Sequence, residues 1–481
     1  MPRLTGGEII AEFFIKAGVP YVIGAPGAAC AGRIKAVPVK RAASGVHLAE
    51  GYYRACGRPL VVSVPDVNEI SADVADTCAG SIPMIIFTGE APKPRSPLEA
   101  AAKKWLEAER AEQLPEVLHR AWNAMMTGRR GPVIVHGPDH VQSETADVEI
   151  AEPAAHMPGG RIFGDAAEID KAMKLLKAAQ RPVILAGGGV LAAEAWGELK
   201  GLAEHMGAVV VTTLTGKGAF PEDHPLYAWH TGSPGTSCGN RLTATADVLL
   251  AVGCRFAEET MAPYEGNPSF AIPPTKLIQV DIDPTEIGRN CSVSVGIAGD
   301  AKMVLKTILR KFQESTKPRL YVSTEYFREI TAIKKEWTRS LEAHGLLVEV
   351  RRYLERDDFV VTSPGAARER VLREMPFYLP RTHVAATGSA VAAAIGAKLA
   401  RPDKKVLVIA GEEAVLAGKE ELSVAEQAGA PVVMIVLNAS EKALGIQAER
   451  VEREKDLRNA LKRAFNSGRA AVVDVVVRRG A

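Results

Sequence analysis

Residues 181–190 have the sequence RPVILAGGGV, in which an apolar run is followed directly by three glycines. Uninterrupted apolar runs are typical of parallel strands that are buried on both faces. A glycine-rich turn after such a strand is typical of doubly wound α/β domains. Similar runs recur as VLLAV, VVMIVL and AVVDVVV further along the chain, so the pattern predicts parallel sheets.

Three segments of the chain alternate such runs with amphipathic stretches of helical spacing, which predicts three doubly wound, mainly parallel-sheet α/β domains. The predicted strands are 21–23, 60–64, 84–87 and 132–135, then 182–186, 209–213, 248–252 and 277–282, and finally 359–362, 406–410, 432–437 and 471–477. AEPAAHMPGG and the polar QESTKPR separate the segments. We expect domains at 1–154, 155–320 and 321–481.

The composition is that of a globular protein, with 47% hydrophobic and 24% charged residues among 481. This balance excludes disordered, collagen-like and coiled-coil chains. A net charge of +2 favours neither nucleic acid nor a membrane surface as a partner. The six cysteines include no CxxC pair, and the first residues lack the apolar core of a signal peptide, so we expect reduced thiols and a cytoplasmic location.

Phrases in all three segments carry a resemblance to a known family. They include TGGEIIAEFFIKAGVPYVIGAPG, HLAEGYYRACGRP, VVTTLTGKGAFPEDHP, ADVLLAVGCRF, KLIQVDIDPTEIGRN and VLVIAGEEAV. Together they make the chain similar to the thiamine-diphosphate enzymes of the acetolactate synthase group. The resemblance implies a fold of the thiamine-diphosphate enzyme type, with a pyrimidine-binding, a middle nucleotide-binding and a diphosphate-binding domain in that order.

The positions that the resemblance assigns to cofactor chemistry carry unusual residues. The family glutamate that pairs with the aminopyrimidine ring aligns with Ala42, which has no proton to exchange. The two family Mg²⁺ ligands align with Glu412 and Ala439, and Ala439 has no side-chain oxygen for a cation that prefers oxygen ligands. Glu413 replaces a glycine beside the phosphate, and Thr387 replaces a bulky residue that supports the cofactor. We therefore expect no catalytic residue, no metal site, and neither thiamine diphosphate nor Mg²⁺.

The middle segment keeps its family phrases, and the resemblance implies FAD, ADP or coenzyme A there. A glycine-rich turn and a helix N-terminus suit a diphosphate. The same phrases also suit a Rossmann-like core without a ligand. The predicted contacts of an adenine nucleotide are Gly187, Gly188, Gly189, Thr231, Gly232, Gly235, Arg255, Asp281 and Asp300.

Three functions stay open at this point, of which one is a cofactor-free enzyme that uses the emptied cleft, with no set of residues to nominate for it. The first is an acetolactate synthase-like homologue that has lost thiamine-diphosphate catalysis and acts as a non-catalytic or repurposed oligomeric protein, with an adenine nucleotide in its middle domain. The alternative is an active thiamine-diphosphate-dependent carboligase or decarboxylase of pyruvate-like 2-oxo acids. In either case we expect a homodimer or homotetramer, or a complex with an active paralogue, and no nucleic-acid or membrane partner.

Overall fold

The structure, a computed structural model, describes residues 2–24, 33–90, 101–156, 160–263, 266–319, 324–342, 345–438 and 447–477. These residues form three six-stranded sheets and one two-stranded sheet, and helices connect the strands. The predicted class of three parallel-sheet α/β domains is therefore confirmed.

The first sheet consists of β2 (Tyr21–Gly24), β3 (Lys35–Val37), β4 (Val61–Val64), β5 (Ile85–Thr88), β6 (Lys104–Glu107) and β7 (Val133–His136). Its strand order is β3-β2-β4-β5-β7-β6, and the paired strands are parallel. Beside it, β1 (Arg3–Thr5) pairs antiparallel with β8 (Thr145–Asp147).

The second sheet consists of β9 (Pro182–Ala186), β10 (Val209–Thr212), β11 (Tyr227–His230), β12 (Val248–Val252), β13 (Lys276–Asp281) and β14 (Val295–Ala298), in the order β11-β10-β9-β12-β13-β14. The third consists of β15 (Phe359–Thr362), β16 (His383–Ala385), β17 (Val406–Gly411), β18 (Val433–Asn438), β19 (Glu449–Val451) and β20 (Ala471–Val476), in the order β16-β15-β17-β18-β20-β19.

The α-helices are α1 (Gly6–Lys16), α2 (Ala42–Cys56), α3 (Ser71–Ala79), α4 (Leu114–Met126), α5 (Asp139–Ser143), α6 (Ala166–Ala178), α7 (Gly188–Ala192), α8 (Trp196–Met206), α9 (Ser237–Ala244), α10 (Glu258–Met261), α11 (Ala301–Ser315), α12 (Glu325–Glu342), α13 (Leu346–Tyr353), α14 (Ala366–Glu374), α15 (Ala390–Ala400), α16 (Glu413–Gln427) and α17 (Glu454–Asn466). In the described part of the chain, no helix combines the length and the apolar character that a membrane crossing requires.

All the strands predicted from the sequence are confirmed, with ends that differ by at most two residues. The prediction missed the two outer strands of each six-stranded sheet, namely β3, β6, β11, β14, β16 and β19. An edge strand has a neighbour on one side only, and these six are short. Strand β6, for example, has the partly exposed sequence Lys-Trp-Leu-Glu, which contains no apolar run from which a strand could be predicted.

The described chain packs as two compact units. Unit 1 comprises Met1–Gly159, Phe359–Pro364 and Val384–Gly480, and therefore contains the first and third sheets. Unit 2 comprises Gly160–Asp358 and Gly365–His383, and contains the second sheet. One continuous apolar core runs through unit 1 and includes residues of both of its six-stranded sheets. The domain boundaries at 154/155 and 320/321 stay a prediction.

Within unit 1, α2 and α15 approach each other closely because each helix has a glycine at the contact. A β-carbon on Gly51 would lie 1.9 Å from the carbonyl oxygen of Ala393. A β-carbon on Gly396 would lie 1.9 Å from the carbonyl oxygen of Leu48. Real β-carbons do not come that near to an oxygen, so neither position accepts a side chain at this helix separation. The contact joins a helix of the first predicted domain to one of the third.

Within unit 2, a fully buried ion pair holds the segment after α14 in place. Lys217 Nζ lies 2.9 Å from Glu222 Oε2, and both side chains are 0% exposed. Lys217 also donates to the carbonyl of Leu372, and the amide of Phe377 donates to Glu222. Burial lowers the pKa of Lys217 and raises that of Glu222, while the charge of each opposes the shift of the other.

Candidate active site

Each six-stranded sheet has a point near its middle at which the strand order reverses, and open α/β sheets bind ligands at the carboxyl ends of the strands beside such a point. The reversal lies between β2 and β4 in the first sheet, between β9 and β12 in the second, and between β15 and β17 in the third. Gly187 follows β9 and Glu412 follows β17, so both stand at these points. The loop after β2, at 25–32, lies outside the described residues.

In the second sheet, backbone amides of the glycine turn already donate hydrogen bonds within the protein. The amide of Gly187 donates to the carbonyl of Val252, and that of Gly189 donates to the carbonyl of Gly253. A β-carbon on Gly187 would lie 2.1 Å from the carbonyl oxygen of Gly253, and one on Gly188 would lie 2.9 Å from Thr215 Oγ1. Close packing of two loops therefore accounts for these glycines independently of any ligand.

The remaining nucleotide candidates lie at the same edge of this sheet, where a buried asparagine orders one of the turns. Thr231 donates to Asn240 Oδ1 over 2.9 Å, and the amide of Gly232 donates to the same atom over 3.0 Å. The amide of Gly235 closes the turn on the carbonyl of Gly232. Asn240 was not predicted from the sequence, because an asparagine within a helix gives no signal of its own.

The two aspartates and the arginine of the predicted nucleotide site have local roles. Asp281, at the end of β13, accepts from the amide of Asp283, and burial raises its pKa. Asp300 caps the N-terminus of α11 and pairs with Arg161 over 3.2 Å. Arg255 is half-buried after β12. Nucleotide binding by these residues stays a prediction.

In unit 1, a buried polar cluster links α2 to α3 and to the loop before α15. His47 Nε2 lies 2.9 Å from Asp73 Oδ1, and His47 Nδ1 lies 3.5 Å from Glu50 Oε2. Glu50 is fully buried and accepts hydrogen bonds from Arg54 and from both the amide and the hydroxyl of Thr387. Thr387, which stands where the family has a bulky residue that supports the cofactor, therefore binds a carboxylate of α2.

The protonation states of this cluster follow from its pairing. Burial by itself lowers the pKa of His47, but Asp73 and Glu50 outweigh it and raise that pKa to about 9. Burial by itself raises the pKa of Glu50, but Arg54 and His47 outweigh it and lower that pKa to about 2. At neutral pH the cluster therefore holds a charged imidazolium between two carboxylates.

A second buried carboxylate lies at the N-terminus of α2, where Ala42 is the first helical residue. Glu421, on α16, accepts a hydrogen bond from Ser44 Oγ over 2.7 Å and pairs with the Arg41 guanidinium. Its other oxygen, Oε2, is buried and has no hydrogen-bond partner among the residues that the structure describes. The position without a carboxylate in the sequence therefore has one nearby in space.

Sequence analysis missed Glu421, although the chain contains a signal for it. On α16, Glu421 precedes the buried Val424 and Ala425 by three and four residues, so it lies on the apolar face of the helix. A carboxylate on such a face needs a buried partner or a function.

The predicted metal positions are only partly described. Glu412 is half-buried at the end of β17, and Glu413 is exposed in the first turn of α16. Asn438 ends β18 and donates to Asp474, which also binds Arg450. Ala439 lies outside the described residues. Within the described ranges, no group of three or more His, Cys, Asp or Glu residues is placed to hold a metal ion.

These residues fit thiamine diphosphate at two places. Glu421 Oε2 is an unpartnered, buried acceptor at the helix end where the family carboxylate belongs. Glu412 is a hard oxygen donor at a strand end followed by a helix N-terminus, and Mg²⁺ is often held by one or two carboxylates together with the phosphates of its ligand.

Comparison with known families gives three matches in chain order. Residues 4–113 match "Thiamine pyrophosphate enzyme, N-terminal TPP binding domain". Residues 169–308 match "Thiamine pyrophosphate enzyme, central domain", and residues 365–441 match "Thiamine pyrophosphate enzyme, C-terminal TPP binding domain". Among solved structures, a putative thiamin diphosphate-dependent enzyme from Mycobacterium smegmatis shares the fold, with a TM-score of 0.80, 20% identity and 99% coverage of both chains.

Individual relatives are acetolactate synthase large subunits. The probable large subunit of Methanocaldococcus jannaschii is 29% identical, over 98% of this chain and 92% of its own length. The Corynebacterium glutamicum large subunit is 30% identical, over 91% of this chain and 75% of its own length. The Escherichia coli isozyme 3 large subunit is 27% identical, over 91% of this chain and 83% of its own length.

These matches overturn the prediction that the chain does not take thiamine diphosphate, because both cofactor-binding domains are recognised and point to that cofactor. The prediction rested on a few single positions, whereas the matches extend over both cofactor-binding domains.

Proposed function

Since the chain belongs to the acetolactate synthase-like family of thiamine pyrophosphate enzymes, we propose that it is a thiamine-diphosphate-dependent carboligase or decarboxylase of pyruvate-like 2-oxo acids. The cofactor, when bound, supplies the carbanion chemistry for making or breaking the bond beside the carbonyl group. The relatives' names support the carboligase of the acetolactate synthase type over other reactions of the family.

The observation that carries this proposal is the common core of the two regions that match the cofactor-binding domains. Through the contact of α2 with α15, the N-terminus of α2 and the end of β17 belong to the same compact unit. A cofactor with a pyrimidine ring at one end and a diphosphate at the other needs one site of each kind. The regions that match the N-terminal and C-terminal cofactor-binding domains lie largely in unit 1, which supports the proposal.

Several residues of this unit have definite parts in the proposal. Glu412 would hold the metal ion, and the N-terminus of α16 would favour the diphosphate. The negative charge of Glu413 would repel the negatively charged diphosphate and weaken its binding. His47 and Glu50 would fix α2 against the loop at Thr387, which keeps the pyrimidine end rigid and dry.

Titration calorimetry with thiamine diphosphate and Mg²⁺, followed by assay of pyruvate consumption, tests the proposal. We expect saturable binding that depends on Mg²⁺ and is weakened roughly tenfold or more by Glu412→Gln, because a charged metal ligand is lost. Glu454→Gln, on the exposed side of α17, is the control and should bind as the wild type does. Absence of binding at millimolar cofactor with Mg²⁺ would contradict the proposal.

We also propose an adenine nucleotide at the carboxyl edge of the second sheet, since the predicted contacts lie along that edge. Melting temperatures with and without millimolar FAD, ADP and coenzyme A test this. A rise with one of them that Arg255→Ala reduces is the expected result. If none of the three ligands raises the melting temperature, the residues along this edge have a structural role only.

A further inference from the structure

Residues 365–383, which we call the strap, join two strands of the third sheet but pack within unit 2. The strap follows β15 and ends at the first residue of β16, and the residues before and after it belong to unit 1. Both of its ends lead to one point of the sheet, because the amide of Ala386 donates to the carbonyl of Thr362 over 3.2 Å. The chain itself therefore connects unit 2 to the carboxyl end of β15.

Two fully buried side chains of unit 2 hold the middle of the strap. Lys217 Nζ donates to the carbonyl of Leu372 over 3.1 Å, and Glu222 Oε2 accepts the amide of Phe377 over 3.1 Å. The two side chains also pair with each other over 2.9 Å. The last carbonyls of a helix have no donor within the helix, and the helix dipole favours a cation beside them. Lys217 therefore caps the C-terminus of α14.

At the other end of α14, a short turn connects the helix to the edge of the third sheet. The ring of Pro364 fixes its φ, and Gly365 has a φ of 104°, which residues with a side chain rarely adopt. Ser363 precedes this turn, and its amide donates to the carbonyl of Ile409 on β17 over 3.4 Å. Because the turn has so little conformational freedom, a displacement of α14 is passed on to Ser363.

Ser363 lies at the carboxyl edge of the third sheet, where the strand order reverses. It is 4% exposed, and its Oγ is buried without a hydrogen-bond partner among the residues that the structure describes. Strand β17, which pairs with β15, ends at Gly411, directly before Glu412. The hydroxyl of Ser363 is therefore a buried donor on the edge to which the proposed function assigns the diphosphate.

We propose that Lys217 and Glu222 are positioning residues for the cofactor: through the strap, they hold Ser363 where its hydroxyl meets the diphosphate. A buried ion pair often stabilises a protein no more than apolar side chains of the same volume do. Its hydrogen bonds, however, fix a direction and a distance. Here they fix a helix end and a backbone amide, which an apolar pair cannot bind. The role in cofactor binding rests on the proposed function, whereas the role in holding the end of β15 does not.

A purely structural role of the pair makes a different prediction. If Lys217 and Glu222 only stabilise unit 2, their loss lowers the melting temperature of that unit and leaves the amides of unit 1 unchanged. If they position the end of β15, their loss exposes amides of unit 1 at temperatures where unit 2 is still folded. A measurement in unit 1 therefore separates the two roles.

The first experiment compares amide hydrogen exchange in the wild type and in Lys217→Met/Glu222→Leu, without cofactor. The double variant removes both side-chain contacts to the strap and leaves no unpaired buried charge, so unit 2 should remain folded. We expect the amides of Ser363 and Ala386 to exchange roughly tenfold or more faster than in the wild type, because the strand end that they hold opens more often.

The matched control is Lys171→Met/Glu168→Leu, which replaces both partners of an exposed ion pair on α6. Its exchange rates should equal those of the wild type at both reporter amides. If the buried double variant does not fold, Glu222→Gln takes its place. Glutamine keeps an oxygen for the amide of Phe377 but removes the charge that holds Lys217, so both rates should rise by a smaller factor.

The second experiment measures the dissociation constant of thiamine diphosphate with Mg²⁺ by titration calorimetry. Ser363→Ala should weaken binding roughly ten- to a hundredfold, because a hydrogen bond to a charged group is lost. Lys217→Met/Glu222→Leu should weaken it as well. If the pair acts through Ser363, all three substitutions together should weaken binding by less than the product of the two factors.

The outcomes separate this inference from the proposed function. If the wild type does not bind thiamine diphosphate, the proposed function fails and the role in cofactor binding fails with it, and the exchange rates still decide whether the pair holds the end of β15. If the wild type binds, unchanged exchange at Ser363 and Ala386 in the variants overturns the inference alone. An unchanged dissociation constant in Lys217→Met/Glu222→Leu, or effects that multiply fully with that of Ser363→Ala, also overturns it.

Discussion

At the scale of single residues, the molecule places several charges where water cannot reach them. In unit 1, His47 stands between Asp73 and Glu50, and in unit 2, Lys217 stands against Glu222. Transfer of such groups out of water is costly, so each depends on its partner. The free energy of unfolding should therefore depend on pH. Removal of one partner of such a pair should lower it by much more than removal of a surface charge does.

The His47–Glu50 contact predicts a stability maximum between about pH 4.5 and 6.5. The pKa of His47 is raised from 6.5 to about 9, so its contribution is complete below 6.5 and is lost as the pH rises through 9. The pKa of Glu50 is lowered from 4.5 to about 2, so its contribution is complete above 4.5 and is lost as the pH falls through 2.

Urea unfolding of the wild type and of His47→Gln between pH 5.5 and 10 measures how the free energy of unfolding changes as His47 loses its proton. The wild type should be more stable near pH 6 by on the order of 3 kcal/mol, and the difference should shrink towards pH 10. A difference that is constant across this range would show that His47 contributes by packing and not by its charge.

For the buried pair of unit 2, Lys217→Met should lower the free energy of unfolding by about 3–5 kcal/mol, because it leaves Glu222 without a counter-charge. The double variant Lys217→Met/Glu222→Leu should lose less than the two single variants combined. Lys171→Met, which breaks the exposed pair with Glu168, is the control and should change stability by less than about 0.5 kcal/mol. Additive losses in the double variant would contradict the interpretation.

The sequence indicated a position that lacks the family acid, but it could not indicate which buried carboxylate lies close to that position. Ala42 is the first residue of α2. Ser44 and Glu421, which meet there, are 377 residues apart, and no local pattern connects them. The same holds for the Lys217 contact with Leu372, whose partner lies beyond a predicted domain boundary.

At the scale of elements, the close approach of α2 and α15 depends on glycines at the contact, and buried parallel strands depend on apolar runs. The runs are local, so the central strands could be predicted from the sequence almost to the residue. The outer strands and the helix contact are set by neighbours that are distant in sequence. The pattern therefore could not predict them.

Gly51→Ala should destabilise unit 1, since its β-carbon would lie 1.9 Å from the carbonyl oxygen of Ala393 and the helices would have to separate. We expect a loss of about 1–3 kcal/mol or more in the free energy of unfolding. Gly197→Ala, on α8, is the matched control, because its β-carbon meets no atom within 4 Å. Alanine is the better helix former, so the control should be as stable as the wild type or slightly more stable. Equal melting temperatures for Gly51→Ala and the wild type would contradict the helix contact.

At the scale of the whole molecule, the chain forms two compact units, each with a core of its own. Scanning calorimetry should therefore resolve two unfolding transitions. Gly51→Ala should lower the temperature of one transition and Lys217→Met that of the other. A single transition that both variants shift together would show that the units unfold as one.

Neither unit is a continuous stretch of chain, and this has a consequence for biosynthesis. Unit 2 has all the strands of its sheet once β14 has left the ribosome, whereas α2 meets its partner only after α15 has been made. At ~5–20 residues per second, the time between the synthesis of α2 and that of α15 is on the order of tens of seconds. During this time the face of α2 that carries Leu48 and Gly51 has no α15 to cover it. A nascent chain halted before α15 should therefore bind chaperones through the first helices, and one released after α15 should not.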